Sequence, residues 1–365
     1  MKYKPVVLLS LYLLTLFLPM LSLLAREPQN GAAALESTAS DRFGAGRDVA
    51  VGEGDSERPE TAPGRTFPAV EAPAALQLEF EPVFKILDSG SGRLLRVSAL
   101  DYIRGAIASE MPFQFHLQAM IAQGVAAYTN AVRSQLAQRE NADPELKGAD
   151  FSADPSNMKG WSNEARVREF YGAYADAAWE KICAAANEAA KYLLIYDGKP
   201  IIAAYSAMSC GMTESAENVW GGRIDYLVPV ESAGDELAPD FASEAVFTTD
   251  ETRARITEAL PGISLPAAPV SWFCDIERTA SGYVKSARVC GGELGGQELR
   301  RIFGLRSACF EVKFDGSAFH FEVRGYGHGV GLSQNGADYM ARQGCGFAEI
   351  LQHYYPGAAL AQLAP

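Results

Sequence analysis

A glutamate with apolar neighbours is the first candidate for catalysis in this chain. Glu110 lies in the run A-S-E-M-P, residues 108–112, and Met111, Pro112 and Phe113 follow it directly. Burial among such side chains disfavours the charged form of a carboxyl group, which would keep Glu110 protonated near neutral pH as a general acid. A glutamate near a helix start also serves as an ordinary capping residue. The motif taken by itself leaves both interpretations open.

A loop of small and polar residues offers a second group of side chains. It reads YSAMSCGMTESAENVWGG over residues 205–222. Its hydroxyl and carboxyl groups could hydrogen-bond a ligand and its tryptophan provides an aromatic surface, a combination that suits sugar rings. The alternative is an ordinary surface loop. The candidate substrate-binding residues of this loop are Tyr205, Ser209, Thr213, Glu214 and Trp220.

A glycine-rich run near the C-terminus offers a third group. Residues 325–331 read G-Y-G-H-G-V-G and lead into L-S-Q-N-G. Glycines at alternate positions allow backbone or ligand to approach closely, and His328 could donate to a substrate or orient a carboxylate. A buried histidine that satisfies backbone groups is the alternative, and the lysine of a phosphate-binding loop is missing. The candidate substrate-binding residues here are Tyr326, His328, Ser333 and Gln334.

Composition and charge exclude one class of partner. The chain of 365 residues is 48% hydrophobic, which is enough to form a sizeable core. Its formal net charge is −13, so we expect no nucleic-acid partner, because phosphate binding needs clustered lysine and arginine. An acidic protein can still bind a polysaccharide.

The six cysteines show neither a C-x-x-C motif nor the spacing of a metal site. We therefore expect no bound metal. An exported chain can form disulfide bonds, and Cys274 and Cys290 are one candidate pair.

The first 75 residues predict a membrane anchor and a linker. Lys2 and Lys4 precede an uncharged apolar run, residues 5–25, that is long enough to cross a bilayer. The positive flank favours a cytoplasmic N-terminus, so we expect a single-pass protein of the cell membrane with an extracytoplasmic domain. A form secreted after signal cleavage is the alternative. Residues 26–75 are rich in small, acidic and proline residues and predict a disordered linker.

The folded region begins near Leu76, and its patterns predict the α+β class. LQLEF and FKILD alternate as strands do, and an SGSG turn separates them from RLLRVSAL. Apolar residues from Phe115 onwards repeat at helical spacing, which predicts that Glu110 stands just before a helix N-terminus. A second helix is expected over residues 164–190. The Asp-Gly pair between KYLLIY and KPIIAAY predicts a tight hairpin.

The C-terminal half contains further element patterns. TTDETRARITEAL predicts a helix, and YVKSARVC and FEVKF predict strands. The last segment predicts a strand, the glycine-rich turn, a helix, a break at Gly344 and another helix.

Four segments resemble one known family. They are A-S-E-M-P before an AxxAQxVAAxT helix, the YxxxSxGxTExAExVWGG loop, LRRIFGLRSACF, and GYGHGVGLSQNGADYMARQGCGFAEILQHYYPG. In these segments the chain closely resembles the stage II sporulation protein D (SpoIID/LytB) family. The resemblance covers about residues 76–360. It implies a two-lobed catalytic domain with a central cleft.

The resemblance also implies an activity. It is that of a lytic transglycosylase, which cleaves peptidoglycan glycan strands between N-acetylmuramic acid and N-acetylglucosamine once the stem peptides have been removed. Glu110 would protonate the glycosidic oxygen and then, as a carboxylate, take the proton of the muramic C6 hydroxyl as a 1,6-anhydro ring closes. No carboxylate nucleophile is needed, unlike in a two-carboxylate hydrolase. The implied setting is engulfment in sporulation, with a peptide-removing amidase and a membrane protein as partners.

The chain departs from the family pattern in the helix and in the loop, where Tyr205, Ser206 and Ala207, then Cys210 and Gly211, stand in place of Tyr-His-Ser and Gly-Gly. The family helix usually reads LKAQAVAARTY, and its Lys and Arg positions are Ile121 and Tyr128 here. Ser206 replaces a histidine that is a zinc ligand in some relatives, so no cofactor is expected. These losses keep open a second function, a non-catalytic glycan-binding module that enhances an amidase. A purely structural wall tether is a third possibility, and it predicts no defined cleft around Glu110.

Overall fold

Helices and short strands follow one another along the described chain, which gives a mixed α+β fold. The computed structural model describes residues 74–76 and 78–363. The helices are α1 (Ala99–Glu110), α2 (Leu117–Glu140), α3 (Glu164–Tyr171), α4 (Ala175–Ala189), α5 (Ala216–Trp220), α6 (Thr249–Ala259), α7 (Gly296–Phe303), α8 (Gln334–Arg342) and α9 (Phe347–Tyr354). The strands are β1 (Ala74–Leu76), β2 (Val83–Asp88), β3 (Leu94–Ser98), β4 (Phe151–Ala153), β5 (Tyr192–Tyr196), β6 (Lys199–Pro200), β7 (Tyr205–Ser206), β8 (Ala242–Thr248), β9 (Phe273–Arg278), β10 (Val284–Val289), β11 (Gly292–Gly295), β12 (Phe310–Phe314), β13 (Ala318–Arg324), β14 (Leu332–Ser333) and β15 (Ala359–Leu363).

The strands form small sheets, several of which join distant parts of the chain. One sheet has the order β1-β15-β5-β6, and another has the order β3-β2-β4. In the C-terminal half, β11-β10-β9 and β12-β13-β8 form two three-stranded sheets. β7 and β14 form a two-stranded parallel pair. This last pair brings the loop that begins at Tyr205 against the segment that follows the glycine-rich run.

The larger hydrophobic core is built around α1, α2 and α4. Ile103 and Ile107 of α1 and Val125 of α2 are fully buried in it. The helices approach closely because a glycine stands at the contact. A Cβ atom on Gly124 would lie 2.8 Å from the Cβ of Ala189 and 2.9 Å from the Cδ1 of Ile107. The end of α1 is therefore held firmly against its neighbours.

A second hydrophobic core lies in the C-terminal half. Its buried residues come from α6, α7 and the strands β10–β13, and aromatic rings dominate it. The rings of Phe303 and Phe321 stack with centroids 4.7 Å apart, and those of Trp272 and Phe319 stack at 5.5 Å. We call this group of residues the aromatic core. It is distinct from the larger core, so the described residues pack around two separate centres.

Most of the helix and strand predictions are confirmed. The apolar repeat after Phe115 forms α2, and TTDETRARITEAL forms α6. The Asp-Gly pair forms the expected hairpin between β5 and β6, with φ of 50° at Asp197 and 72° at Gly198. The final segment has the predicted order of strand, turn, helix and helix, and then adds β15.

Three predictions of element boundaries are wrong. Glu110 is the last residue of α1 and does not stand directly before α2. The sequence pattern predicts a strand through RLLRVSAL, but Ser98 caps a helix that begins at Ala99. Among the described residues of LQLEF, Leu76 lies in a strand and residues 78–80 have no regular structure. The helix expected over residues 164–190 is broken by a 3₁₀ turn at Gly172–Tyr174.

The expected membrane anchor, residues 1–25, lies outside the described residues, as does nearly all of the expected linker. Its last two residues, Ala74 and Ala75, belong to β1, which pairs in parallel with β15. Among the residues that the structure describes, no helix is both long and apolar enough to cross a membrane.

Replacement of Gly105 by alanine should destabilise the fold. A Cβ atom there would lie 2.0 Å from the carbonyl oxygen of Ser162 and 2.4 Å from the indole nitrogen of Trp161. Overlaps this short favour the upper part of the usual overpacking cost of about 1–3 kcal/mol. After the gain of about 1 kcal/mol in helix propensity is subtracted, the free energy of unfolding should fall by about 1–2 kcal/mol. Chemical denaturation measures this change. Gly295→Ala is the control, since its nearest neighbouring atom is 3.9 Å away; equal stability of the two variants would contradict the packing described here.

Candidate active site

Glu110 occupies the last residue of α1, with its side chain partly exposed. The helix ends because Met111 turns into an extended conformation, and the Met111 side chain is fully buried. The negative end of the helix dipole lies at this terminus and disfavours a carboxylate charge. The dipole therefore favours the protonated acid, opposite to its effect at the helix N-terminus expected from the sequence.

Two tyrosines lie within electrostatic reach of Glu110. Burial raises the pKa of the Tyr102 phenol, and the charge of Glu110 adds to that rise. The pKa of Tyr205 is raised by the same two causes in the same order. Tyr102 belongs to the same helix as Glu110, whereas Tyr205 comes from the loop of residues 205–222. The structure thus brings together two site residues that the sequence places far apart.

A pair of glutamines continues this group of side chains. Gln334 Nε2 donates a 3.3 Å hydrogen bond to Gln123 Oε1. Gln123 is fully buried in α2 and also interacts with the Tyr205 hydroxyl. The sequence motifs contain Gln123 without assigning it a role. Its polarity inside an apolar helix face is the signal that could have identified it.

The pairing of β7 with β14 fixes the backbone of this region. Tyr205 lies opposite Leu332, and Ser206 lies opposite Ser333. Close approach depends on glycine, because a Cβ atom on Gly331 would lie 2.1 Å from the Ala204 carbonyl oxygen. The φ angle of Gly331 is 73°, a value that glycine adopts without strain.

A buried aspartate, which the sequence motifs do not point to, connects the two loops. The carboxylate of Asp235 accepts hydrogen bonds from the backbone N–H of Ser209 at 2.8 Å and from its hydroxyl at 2.6 Å. It also accepts a 2.5 Å hydrogen bond from the Ser333 hydroxyl. Burial raises the pKa of Asp235, and these hydrogen bonds oppose that rise. Ser209 and Ser333 are thus engaged inside the protein.

His328 has both ring nitrogens engaged with the backbone. Its Nδ1 accepts a 3.0 Å hydrogen bond from the Val330 N–H, and its ring makes another with the backbone of Tyr205. Burial, together with the charge of Arg300, lowers the pKa of His328 to about 3. The imidazole is therefore neutral at physiological pH. Its ring lies 5.5 Å from that of Trp220, which is partly exposed.

Three other candidates from the sequence have internal contacts. Buried Glu214 accepts hydrogen bonds from the Ser215 N–H, the Asn218 amide and the Thr279 hydroxyl. Thr213 bonds the backbone of Val230, its hydroxyl accepting at 2.8 Å. Tyr326 pairs through its backbone with Met208, and the guanidinium of Arg306 lies 4.5 Å from its ring centre.

Three of the positions that depart from the family pattern are buried. Ile121 and Tyr128 are each 4% exposed and belong to the larger core, where the Tyr128 ring packs against Phe80 and Phe84. Ser206 is buried against Gly327. Where the family pattern has a lysine and an arginine, this chain therefore has two residues of its hydrophobic core. Within residues 74–76 and 78–363, no cluster of histidine, cysteine and carboxylate side chains suited to a metal ion is found.

Removal of His328 should flatten the dependence of stability on pH. The folded pKa of about 3 lies below the ordinary value of 6.5, so the unfolded chain binds more protons between these values and stability falls as pH falls through this window. We expect His328→Gln to reduce the slope between pH 5 and 6 by about 1.4 kcal/mol per pH unit. Urea unfolding at each pH measures the slope.

His320→Gln is the matched control. The pKa of His320 is raised by its hydrogen bonds to Glu244 and Asp315, so its contribution is fully present below pH 6 and does not alter the slope there. Identical slopes for the wild type and His328→Gln would show that His328 is not buried as a neutral imidazole.

Comparison with known proteins identifies the family. Residues 89–196 match the family model described as Stage II sporulation protein (SpoIID). Stage II sporulation protein D of Bacillus amyloliquefaciens is 33% identical over 262 residues, which cover 72% of this chain and 74% of that protein. Its counterpart in Bacillus subtilis (strain 168) is 31% identical over 262 residues, with the same coverage of both chains. The amidase enhancer of Bacillus subtilis (strain 168) is 26% identical over 307 residues, which cover 71% of this chain and 40% of that protein. As its motifs predict, the chain belongs to the stage II sporulation protein D family.

Proposed function

We propose that this protein is a lytic transglycosylase that cleaves peptidoglycan glycan strands, with Glu110 as its catalytic acid. The observation that carries the proposal is the position of Glu110: a partly exposed carboxyl group at a helix C-terminus, within electrostatic reach of Tyr205. A wall tether would not require this meeting of distant residues. The tight packing of α1 holds the carboxyl group in place, which acid catalysis needs.

The proposed mechanism uses one carboxyl group twice. Glu110 protonates the glycosidic oxygen and, as a carboxylate, then accepts the proton of the muramic C6 hydroxyl while that oxygen attacks C1. The products are a free N-acetylglucosamine end and a 1,6-anhydro-muramic end. Asp235 and Glu214 support this assignment, because both are buried and their carboxylates are bound by internal hydrogen bonds. Neither carboxylate is therefore assigned the role of a second catalytic group in this mechanism.

The substrate would lie in a cleft between two lobes that correspond to the two cores. Its walls would be the end of α1, the loop of residues 205–222 and the glycine-rich run. Partly exposed Trp220 supports this arrangement, since its ring can pack against a sugar and is contacted by the buried His328 ring. Tyr205 and Gln334 would provide hydrogen bonds near the scissile bond.

The biological setting is part of the proposal. We place the domain outside the cell membrane, held by residues 1–25, where it acts on glycan whose stem peptides an amidase has removed during engulfment. Relatives named stage II sporulation protein D support the link to sporulation. A membrane protein would be a further partner.

A second candidate function is a non-catalytic module that binds glycan and stimulates an amidase. It is favoured by the relative named amidase enhancer. The replacement of the family's Lys and Arg by Ile121 and Tyr128 supports this second function only weakly, because both residues lie in the larger core. The two functions differ in whether the protein itself releases anhydro ends.

Glu110→Gln should lower the rate of glycan cleavage by at least about 100-fold, because the amide cannot supply the proton. Full-length protein is incubated with denuded glycan strands, and anhydro-muramic ends are measured by mass spectrometry. Glu140→Gln is the control, since Glu140 also ends a helix but is exposed and lies in α2. Reducing ends would indicate hydrolysis. Binding without cleavage by the wild type, together with faster turnover of an added amidase, would establish the second candidate.

Tyr205→Phe should lower kcat by about tenfold, the effect of one hydrogen bond made in the transition state. KM should change little, since the ring remains in place. The same glycan assay gives both constants, and Tyr192→Phe, a partly exposed tyrosine of β5, is the control. An unchanged kcat would remove Tyr205 from the catalytic group.

A further inference from the structure

Two thiols meet where the site loop contacts the aromatic core. Cys210 directly follows Ser209 in the loop of residues 205–222, and Cys309 directly precedes β12. Each of the six cysteines is a free thiol in the described part of the chain. Cys210 packs against a small buried cluster formed by Tyr283, Ala308 and Cys309.

The two sulfur atoms approach the same short turn. Sγ of Cys210 lies 3.3 Å from the carbonyl oxygen of Ser281, and Sγ of Cys309 lies 3.5 Å from that of Gly282, the next residue. The two thiols lie close enough together for each to change the pKa of the other. The Tyr283 hydroxyl accepts a 3.2 Å hydrogen bond from the Cys210 N–H. The Cys309 N–H donates a 3.0 Å hydrogen bond to the Ser307 hydroxyl, so the backbones of both cysteines are fixed where the two residues pack together.

The surroundings suit thiol oxidation. Interaction with Cys210 lowers the pKa of the Cys309 thiol below its ordinary value, and the charges of Arg324 and Arg278 act in the same direction. The same interaction raises the pKa of Cys210, and burial adds to that rise. Cys309 is therefore the more readily deprotonated thiol of the pair. Cys309 is buried, whereas Cys210 is partly exposed and can be reached by an oxidant.

We propose that Cys210 and Cys309 form a disulfide that fastens the site loop to the aromatic core. The oxidant is a protein or small-molecule disulfide, RSSR. The Cys210 thiol passes its proton to the Cys309 thiolate and attacks one sulfur of RSSR, which expels RS⁻. This RS⁻ takes the proton from Cys309, and the Cys309 thiolate then attacks the Cys210 sulfur of the mixed disulfide and expels the second RS⁻, which takes a proton from solvent. Two electrons pass to the oxidant, the two protons complete two RSH molecules, and one intramolecular S–S bond remains.

The bond would act directly beside the candidate active site. Ser209, the neighbour of Cys210, is held by Asp235, and Glu214 in the same loop bonds Thr279 of the turn that both thiols approach. A covalent link would limit separation of the loop from the aromatic core. Its occurrence in the cell rests on the extracytoplasmic location proposed above, where disulfides persist.

The sequence alone suggests a different pair. Cys274 is exposed on β9 with its Sγ 3.7 Å from the Arg288 carbonyl oxygen, and Cys290 follows β10. Both belong to the aromatic core region, so a bond between them would leave the site loop untouched. This pair is the natural competitor in any oxidation experiment.

The test counts thiols in the full-length protein before and after treatment with oxidised glutathione. We expect the wild type to lose two of its six thiols, and peptide mass mapping to recover Cys210 linked to Cys309. Cys210→Ser should keep its remaining thiols, whereas Cys274→Ser should still lose two. The oxidised wild type should melt about 5 °C or more above the reduced protein, because the link closes a long loop.

Several outcomes would overturn the proposal. They are six retained thiols in the wild type, a Cys274–Cys290 peptide in place of the expected one, or a mixed disulfide on Cys210 that never resolves. Thiol counts and peptide masses do not depend on glycan cleavage. Failure of this proposal is therefore distinguishable from failure of the proposed function.

Discussion

The buried carboxylate of Asp235 is the interaction on which the candidate site depends. A buried charge is costly unless hydrogen bonds compensate it, so the residues around Asp235 must provide donors. Ser209 and Ser333 do so from two loops that are far apart in the sequence. Because the same Ser333 caps the start of α8, the position of that helix is tied to the site loop. Loss of the carboxylate would release both loops at once.

The glycine-rich run serves this arrangement mainly through its backbone. Gly331 allows close contact with Ala204, and both ring nitrogens of His328 form hydrogen bonds with backbone groups. A neutral imidazole with a pKa of about 3 cannot act as a cation toward a substrate. The most recognisable motif of the chain therefore shapes the site, while Trp220 and Tyr205 remain its substrate-facing side chains in the function that we propose.

Glu110 owes its character to packing as much as to its neighbours in sequence. α1 packs closely against Trp161 and Ser162 because Gly105 has no side chain at the contact. This packing leaves the last residue of the helix little freedom. The helix end disfavours a negative charge there, and Tyr205 approaches from a different part of the fold. These features suit a group that must donate a proton before it accepts one.

The sequence alone determined the family, the mixed fold class and most of the elements, because helix periodicity, the Asp-Gly turn and the motif spacing are local properties. It also predicts Glu110 and Tyr205 as candidate site residues, and their roles stay a prediction. It could not reveal α1, whose start at Ala99 depends on a capping hydrogen bond to Ser98, nor could it show that Tyr128 is buried in the core. Only the tertiary structure shows the hydrogen bonds of Asp235 and Gln123 and the contact between Cys210 and Cys309. Their importance comes from contacts between distant segments, which no pattern in a single segment encodes.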